Sequence, residues 1–334
     1  MKSLSLRHGI ALFALTVLSL LSLPAVAEMQ TTLSGYIQAR ATETLGDADA
    51  SSLDVRRAYL VARATDGQHI SAVVNLWAYP NPRLLEAYGE YAWTKDLKAR
   101  FGLTGVPFGY ESPLSSARLI TLERSQVNAK LIYPYTFDTG AFGYITNVHG
   151  FNFAASVTNG RPVDIGNDIS FTKDTNNTKN LEARIGYAIP GGQIGVSYWN
   201  GTLPTISAPT NPYTPPTDLP DLSAWRYGAD LETAVGPFTI LSEYVAAKTA
   251  GIEANGYYLT LAYQAKGSTW QPYARFDVFD PDTDIANNEF QRYTVGVNDY
   301  LNPKTRITLE YENINDDLTP SVDGRISAQY QVAF

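Results

Sequence analysis

Apolar and polar residues alternate along almost the whole of this sequence, and that period of two restricts its fold more than any other feature. The clearest stretch is Arg325 to Phe334, where Ile326, Ala328, Tyr330, Val332 and Phe334 alternate with Ser327, Gln329 and Gln331. A helix would smear such a set around its surface, whereas a strand sends the two sets to opposite faces. The same pattern sets Ala58, Leu60, Ala62 and Ala64 against Arg57, Tyr59 and Arg63, and Leu97, Ala99, Phe101 and Leu103 against Lys98, Arg100 and Thr104. Read this way, the chain holds about 16 strand-like segments.

A soluble sandwich would also alternate, so the surroundings of the pattern matter. Lys2, Arg7 and His8 form a basic start, Gly9 to Leu23 an apolar core, and Pro24 precedes Ala25-Val26-Ala27. This is the layout of a secretory signal peptide over residues 1–27, which leaves 28–334 as the exported domain. No later segment offers the roughly eighteen apolar residues that a membrane helix needs. Short and long connections alternate. The short ones include Asp66-Gly67, Lys95-Asp96, His149-Gly150, Pro190-Gly191-Gly192, Gly236-Pro237, Lys266-Gly267 and Asn302-Pro303. The long ones fall near 43–53, 79–84, 105–136, 160–177, 202–222, 248–254, 280–288 and 316–322. Sorting of this kind places long loops outside and short turns in the periplasm.

Together these features predict an all-β fold: a transmembrane antiparallel β-barrel in the bacterial outer membrane, touching its lipid. Only a closed barrel pairs every backbone N–H and C=O in hydrocarbon. Tyrosine, at 22, well exceeds phenylalanine, at 13, as suits rings that sit half in lipid and half in water. The formal charge of −8 argues against nucleic acid, and the absence of cysteine removes disulfides and thiolate chemistry.

The longest connection, 105–136, is the candidate constriction. Ser112 reads as a helix N-cap with Pro113 at the first helical position. Leu114, Leu119, Ile120 and Leu122 need burial, which a loop folded back into the lumen would provide. Arg118, Arg124 and Lys130 would then narrow the pore and set its charge. An external plug or a loop that contacts a neighbouring copy is the alternative.

Several short tags carry a family resemblance. They are Asp54-Val55-Arg56-Arg57-Ala58, Arg100-Phe101-Gly102 leading to Val106-Pro107-Phe108-Gly109, and Glu123-Arg124-Ser125. Ser156 to Gly160, Tyr227 to Leu231, Gly236-Pro237-Phe238, Glu243-Tyr244-Val245, Pro272 to Asp277 and Gln331 to Phe334 follow. In their order and spacing they resemble the phosphate-selective porin O/P family of outer-membrane porins. The resemblance implies a sixteen-stranded channel, a homotrimer, and a lumen whose basic residues guide small anions. It also implies a constriction at the Pro-Phe-Gly stretch and the loop after it.

Strand parity turns Arg57, Arg63, Lys98 and Arg100 inward on early strands, and Glu310 and Glu312 inward on a late one. A basic wall facing an acidic wall would set a field across the lumen; paired charges that merely solvate a wet lumen are the other reading. Weak anion preference is the expectation. Asp280-Pro281-Asp282-Thr283-Asp284 begins like a calcium loop, but Ile285 and Gln291 replace the required glycine and glutamate. His69 and His149 show no zinc spacing, and no nucleophile elbow or phosphate loop occurs. No catalytic residue, metal or cofactor is therefore expected. The sequence reads as a water-filled passive diffusion channel for small hydrophilic solutes. A general non-selective porin, a plugged structural barrel and, less favoured, an outer-membrane hydrolase are the alternatives.

Overall fold

A computed structural model describes residues 28–46, 50–80, 82–132, 136–160, 178–203, 222–316 and 322–334. The proposed signal peptide, the connection at 161–177 and the proline-rich stretch from Pro204 to Pro220 lie outside them. The described chain forms one closed barrel of 16 strands. They are β1 (Gln30–Leu45), β2 (Ala50–Thr65), β3 (Ile70–Tyr79), β4 (Arg83–Ala92), β5 (Leu97–Gly105), β6 (Phe137–Val148), β7 (Phe151–Thr158) and β8 (Asn180–Ile189). The second half holds β9 (Gly192–Leu203), β10 (Leu222–Val235), β11 (Phe238–Thr249), β12 (Ile252–Tyr263), β13 (Trp270–Asp280), β14 (Phe290–Asn302), β15 (Thr305–Asp316) and β16 (Gly324–Ala333).

Each strand pairs antiparallel with its sequence neighbours, and β1 closes the ring on β16 from Tyr36↔Ala333 to Leu45↔Gly324. The alternation read from the sequence is the wall's two-sidedness. On β15, Leu309 is 54% exposed while its neighbours Thr308 and Glu310 are 1% and 5% exposed. Leu259, Leu261, Val295, Ile326 and Tyr330 likewise face outward, while Tyr258, Thr260, Thr294 and Gln329 are buried on the inner face. An apolar exterior around a polar interior inverts a soluble protein, and it is what a bilayer as solvent demands.

Short turns form where glycine supplies a positive φ, at Gly67, Gly150, Gly191, Gly236 and Gly267. Three connections expected to be long are shorter than the alternation suggested. Between β11 and β12 only Ala250 and Gly251 intervene, with φ of 52° and 93°. An alanine in the left-handed region gives no sequence signal for a tight hairpin. Between β3 and β4 only 80–82 remain. Strand β1 runs on to Leu45 and β2 begins at Ala50, because Thr42, Glu43, Ser51 and Ser52 continue the pairing as polar ladder residues.

Candidate functional site

The described residues of the connection from β5 to β6, 106–132 and 136, pack against the inward face of the wall. Its apolar half is seated by Val106, Phe108, Val127 and Ile132, which cluster with Trp199, Leu241, Val245 and Tyr258. Two glycines in the wall allow this approach. A Cβ at Gly228 would meet Phe108 at 2.9 Å, and one at Gly256 would meet Val127 at 2.9 Å. Leu119 and Leu122 are buried, as their composition required, while Leu114 and Ile120 are half-buried.

The polar half is held by side chains of the late strands. Arg306 donates to the carbonyl of Leu119 at 2.7 Å, Asn298 to that of Ile120 at 2.9 Å and Gln331 to that of Ala117 at 3.1 Å. Leu122 N–H donates to Glu310 at 2.9 Å, and Gln126 N–H to Asp277 at 2.9 Å. Arg275 and Arg292 donate to the carbonyls of Glu123 and Arg124, and Arg226 to that of Leu131. A buried loop needs such partners, since each unpaired backbone group would cost about 1–3 kcal/mol.

The expected helix after Ser112 does not form. Ser112 Oγ lies 2.5 Å from Thr136 Oγ1, and Arg124 donates to the carbonyls of Ser112 and Leu114, which fixes both groups outside a helix. A 3-10 turn at Ser116–Arg118 capped by Ser115 and a π-helical turn at Asn128–Ile132 occur instead.

The structure separates the residues expected to line the constriction. Arg124 is buried and also donates to Ser116 Oγ at 3.0 Å, so it shapes its own segment. Arg118 and Lys130 are exposed. Lys98 and Arg100 share Glu90, at 3.8 and 2.7 Å, and Arg100 also lies over the rings of Tyr88 and Tyr144. Arg63 is exposed and donates to Ser71 at 3.5 Å.

The strand order divides the expected basic wall: β15, with Glu310 and Glu312, is separated from β2, with Arg57 and Arg63, only by β16 and β1, whereas β5, with Lys98 and Arg100, lies six strands round the ring. Glu312 is paired with Arg292 at 2.7 Å, and Glu310 accepts from Tyr273 at 2.6 Å. Both carboxylates are therefore committed to contacts within the wall and loop.

Sequence reasoning named Arg57 as an inward residue but did not bring it together with Arg40 and Arg56 around Glu123. Arg40 Nη1 lies 2.7 Å and Arg56 Nε 2.9 Å from its Oε1, and Arg57 Nη2 lies 2.5 Å from its Oε2. Arg56 and Arg57 are adjacent, so regular alternation would point them to opposite faces. A bulge skips Arg56 where Gln38 pairs with Arg57 and Ala39 with Val55, and both guanidinium groups reach one carboxylate. The adjacent Arg-Arg pair, breaking the period of two, was the available signal. Burial alone would disfavour a charged Glu123, but Arg57, Arg56 and Arg40 outweigh it and hold its carboxyl well below the usual range.

Two cavities flank this arrangement. One, of about 530 Å³, is bordered by Tyr36, Tyr59, Glu86, Arg100, Ser112 and Arg124. The other, of about 470 Å³, is bordered by Arg40, Arg56, Arg57, Arg124, Arg292 and Arg325 together with Asp54, Glu123 and Glu312. Arg124 borders both. In the acidic stretch after β13, Asp280 and Asp282 accept from the backbone of Asp282 and Asp284, a locally hydrogen-bonded turn.

A closed sixteen-stranded antiparallel barrel is a fold that this chain shares with solved outer-membrane porins. Residues 217–334, which contain β10 to β16, match the family model of phosphate-selective porin O and P. Among curated proteins no sequence matches the chain. Solved structures with the same fold include an anion-selective porin from Comamonas acidovorans, 14% identical over 92% of this chain and 100% of that one, with a TM-score of 0.66. In-vitro folded OmpT of Vibrio cholerae in a trimer form is 11% identical over 92% and 99% of the two chains, with a TM-score of 0.66. OmpF of Salmonella typhi in complex with daunomycin is 10% identical over 91% and 97%, also at 0.66.

Proposed function

We propose that the exported chain, residues 28–334 after removal of a signal peptide at 1–27, is a passive diffusion channel for small hydrophilic solutes, with its narrowest passage between segment 106–136 and the β1–β5 side of the wall. The observation that carries this reading is the pair of cavities that the anchored segment leaves open. Its backbone is hydrogen-bonded to β10, to β13 to β16 and, through Gln38 and Arg40, to β1, yet cavities of about 530 and 470 Å³ persist beside it and share Arg124. A barrel of this strand number leaves an aqueous interior that its own wall side chains do not fill.

Arginines outnumber carboxylates around the smaller cavity, which supports a weak preference for anions. Pairing with Glu123, Glu312 and Asp277 cancels much of their field, so strong selectivity is not expected. Of the basic residues expected at the constriction, Arg57, Arg100 and Arg124 border the cavities and carry this preference; Arg63, Lys98, Arg118 and Lys130 serve as more distant charge. A homotrimer is proposed by analogy with the trimer form of the Vibrio cholerae protein. Planar-bilayer recording tests the reading. Stable conductance steps with reversal potentials shifted toward chloride support it. A silent bilayer with correctly folded protein would indicate a plugged barrel.

A further inference from the structure

We propose that the cavity of about 530 Å³ is a binding subsite for neutral, hydroxyl-bearing rings of the pyranose sugar type, which rest an apolar face on β1 to β4 and place hydroxyls on Glu86 and Arg100. The proposal rests on the channel reading above and names a class of solute that the passage takes.

The inner face of a channel wall is expected to be polar, and on β1 to β4 it departs from that rule. Tyr36 on β1, Tyr59 and Val61 on β2 and Leu85 on β4 all border the cavity, as do Pro107 and Leu114 of the inward-packed segment. The Tyr36 and Tyr59 rings stack with their centroids 4.8 Å apart, which fixes both. Part of this apolar surface seats the segment: Tyr36, Tyr59 and Leu85 cluster with Trp77 and pack against Ala117 and Phe137. Val61 stands outside that cluster and is only half-buried, so its contribution is to the cavity.

The polar groups of this wall are oriented in advance. A bulge in β4, where Leu76 pairs with Leu84 and Asn75 with Glu86, skips Leu85 and brings it and Glu86 to the same cavity. Neutral donors hold both Glu86 oxygens, Asn75 Nδ2 at 3.0 Å and Thr104 Oγ1 at 2.9 Å. Arg100 Nε donates to Glu90 at 2.7 Å, and its guanidinium lies over the rings of Tyr88 and Tyr144. A carboxylate offers about four acceptor positions and a guanidinium five N–H donors, so each keeps capacity toward a solute. Arg124 also borders the cavity but is turned onto the carbonyls of Ser112 and Leu114. A planar acceptor and a planar donor on one border suit neighbouring hydroxyls, which donate to the first and accept from the second. An apolar floor beneath them suits the C–H face of the same ring. A predominantly apolar cavity with a few fixed polar groups is the usual form of a small-molecule site.

Glucose is the probe, and sorbitol, which carries similar hydroxyls on an open chain, is its control. Both are added to wild type, Glu86→Gln and Val61→Ser in planar bilayers in potassium chloride, with tryptic cleavage of the segment followed in parallel. Glucose should block the wild-type current at concentrations where sorbitol lowers it only as much as it lowers the conductivity of the solution. Glu86→Gln should raise the half-blocking glucose concentration by about tenfold, the value of one charge-assisted hydrogen bond. Val61→Ser should raise it by about fourfold, the value of roughly one methylene of apolar contact, with the segment still resistant to trypsin. Steps in all three proteins with equal responses to glucose and sorbitol would overturn the site and leave the channel reading intact. If Glu86→Gln makes the segment trypsin-sensitive, Val61→Ser decides alone, and an unchanged glucose block there would overturn the site. Absence of steps in wild type would overturn both readings.

Discussion

Arg275 Nη2 lies 2.8 Å from Glu111 Oε1, and the two side chains are only 1% and 2% exposed. The pair joins β13 to the start of the inward-packed segment, and its partners extend the network. Arg275 Nε donates to Thr260 at 2.7 Å, and the Oε2 of Glu111 accepts from the backbone and hydroxyl of Ser125. Removing one member of a buried pair leaves the other charge without compensation, at a cost of about 3–5 kcal/mol. Arg275→Met should lower the thermal unfolding temperature in detergent and expose segment 106–136 to trypsin. Glu111→Gln, which keeps the shape and one acceptor, should do so less.

Arg118 and Arg124 lie in the same segment but should behave differently when mutated. Arg124 ties the carbonyls of Ser112 and Leu114 and the hydroxyl of Ser116 to one guanidinium, whereas Arg118 is exposed. Arg124→Ala should raise single-channel conductance and its noise as the segment loosens. Arg118→Ala should leave both near wild type. Equal effects would mean that the segment is not shaped from within.

The response to acid follows from Glu123. Its carboxyl is held below the ordinary value of 4.5 by three arginines, so its ion pairs contribute fully at and above that pH. They are lost only as the pH falls through the depressed value. Conductance and trypsin resistance should therefore be level from about pH 7 to about pH 5 and change only in stronger acid. A transition near the ordinary glutamate value would show that the arginines do not hold the charge.

The outer face offers a test of the membrane reading. Val295, midway along β14, is 53% exposed on the apolar side of the wall. Val295→Arg should destabilise the folded barrel in lipid by about 2–4 kcal/mol, the cost of a cation near the midplane, as measured by reversible unfolding in vesicles. In detergent micelles the penalty should shrink.

Much of this architecture was legible because one physical rule governs every strand. Lipid on one side and water on the other impose a period of two, so β15 and β16 could be read almost residue by residue. Connections were harder. Ala250 adopts a conformation that its side chain does not advertise, and the tight hairpin beside it was hidden. The site was harder still. Arg57 and Arg124 could be named as pore residues from parity and loop length, yet their partners depend on which strands the ring brings together. Sequence distance is a poor guide to distance around the barrel: closure of β1 on β16 leaves two strands between Glu310 and Arg57, while Arg100 on β5 lies six strands from Glu310.

That same seam has a consequence for assembly. Until β16 reaches β1, both strands carry a row of unsatisfied amides and carbonyls, and a partial cylinder in the bilayer would bear two raw margins. The first strand must wait for the last, across the greatest sequence separation in the molecule, so insertion should proceed as a single late event that shields both margins at once.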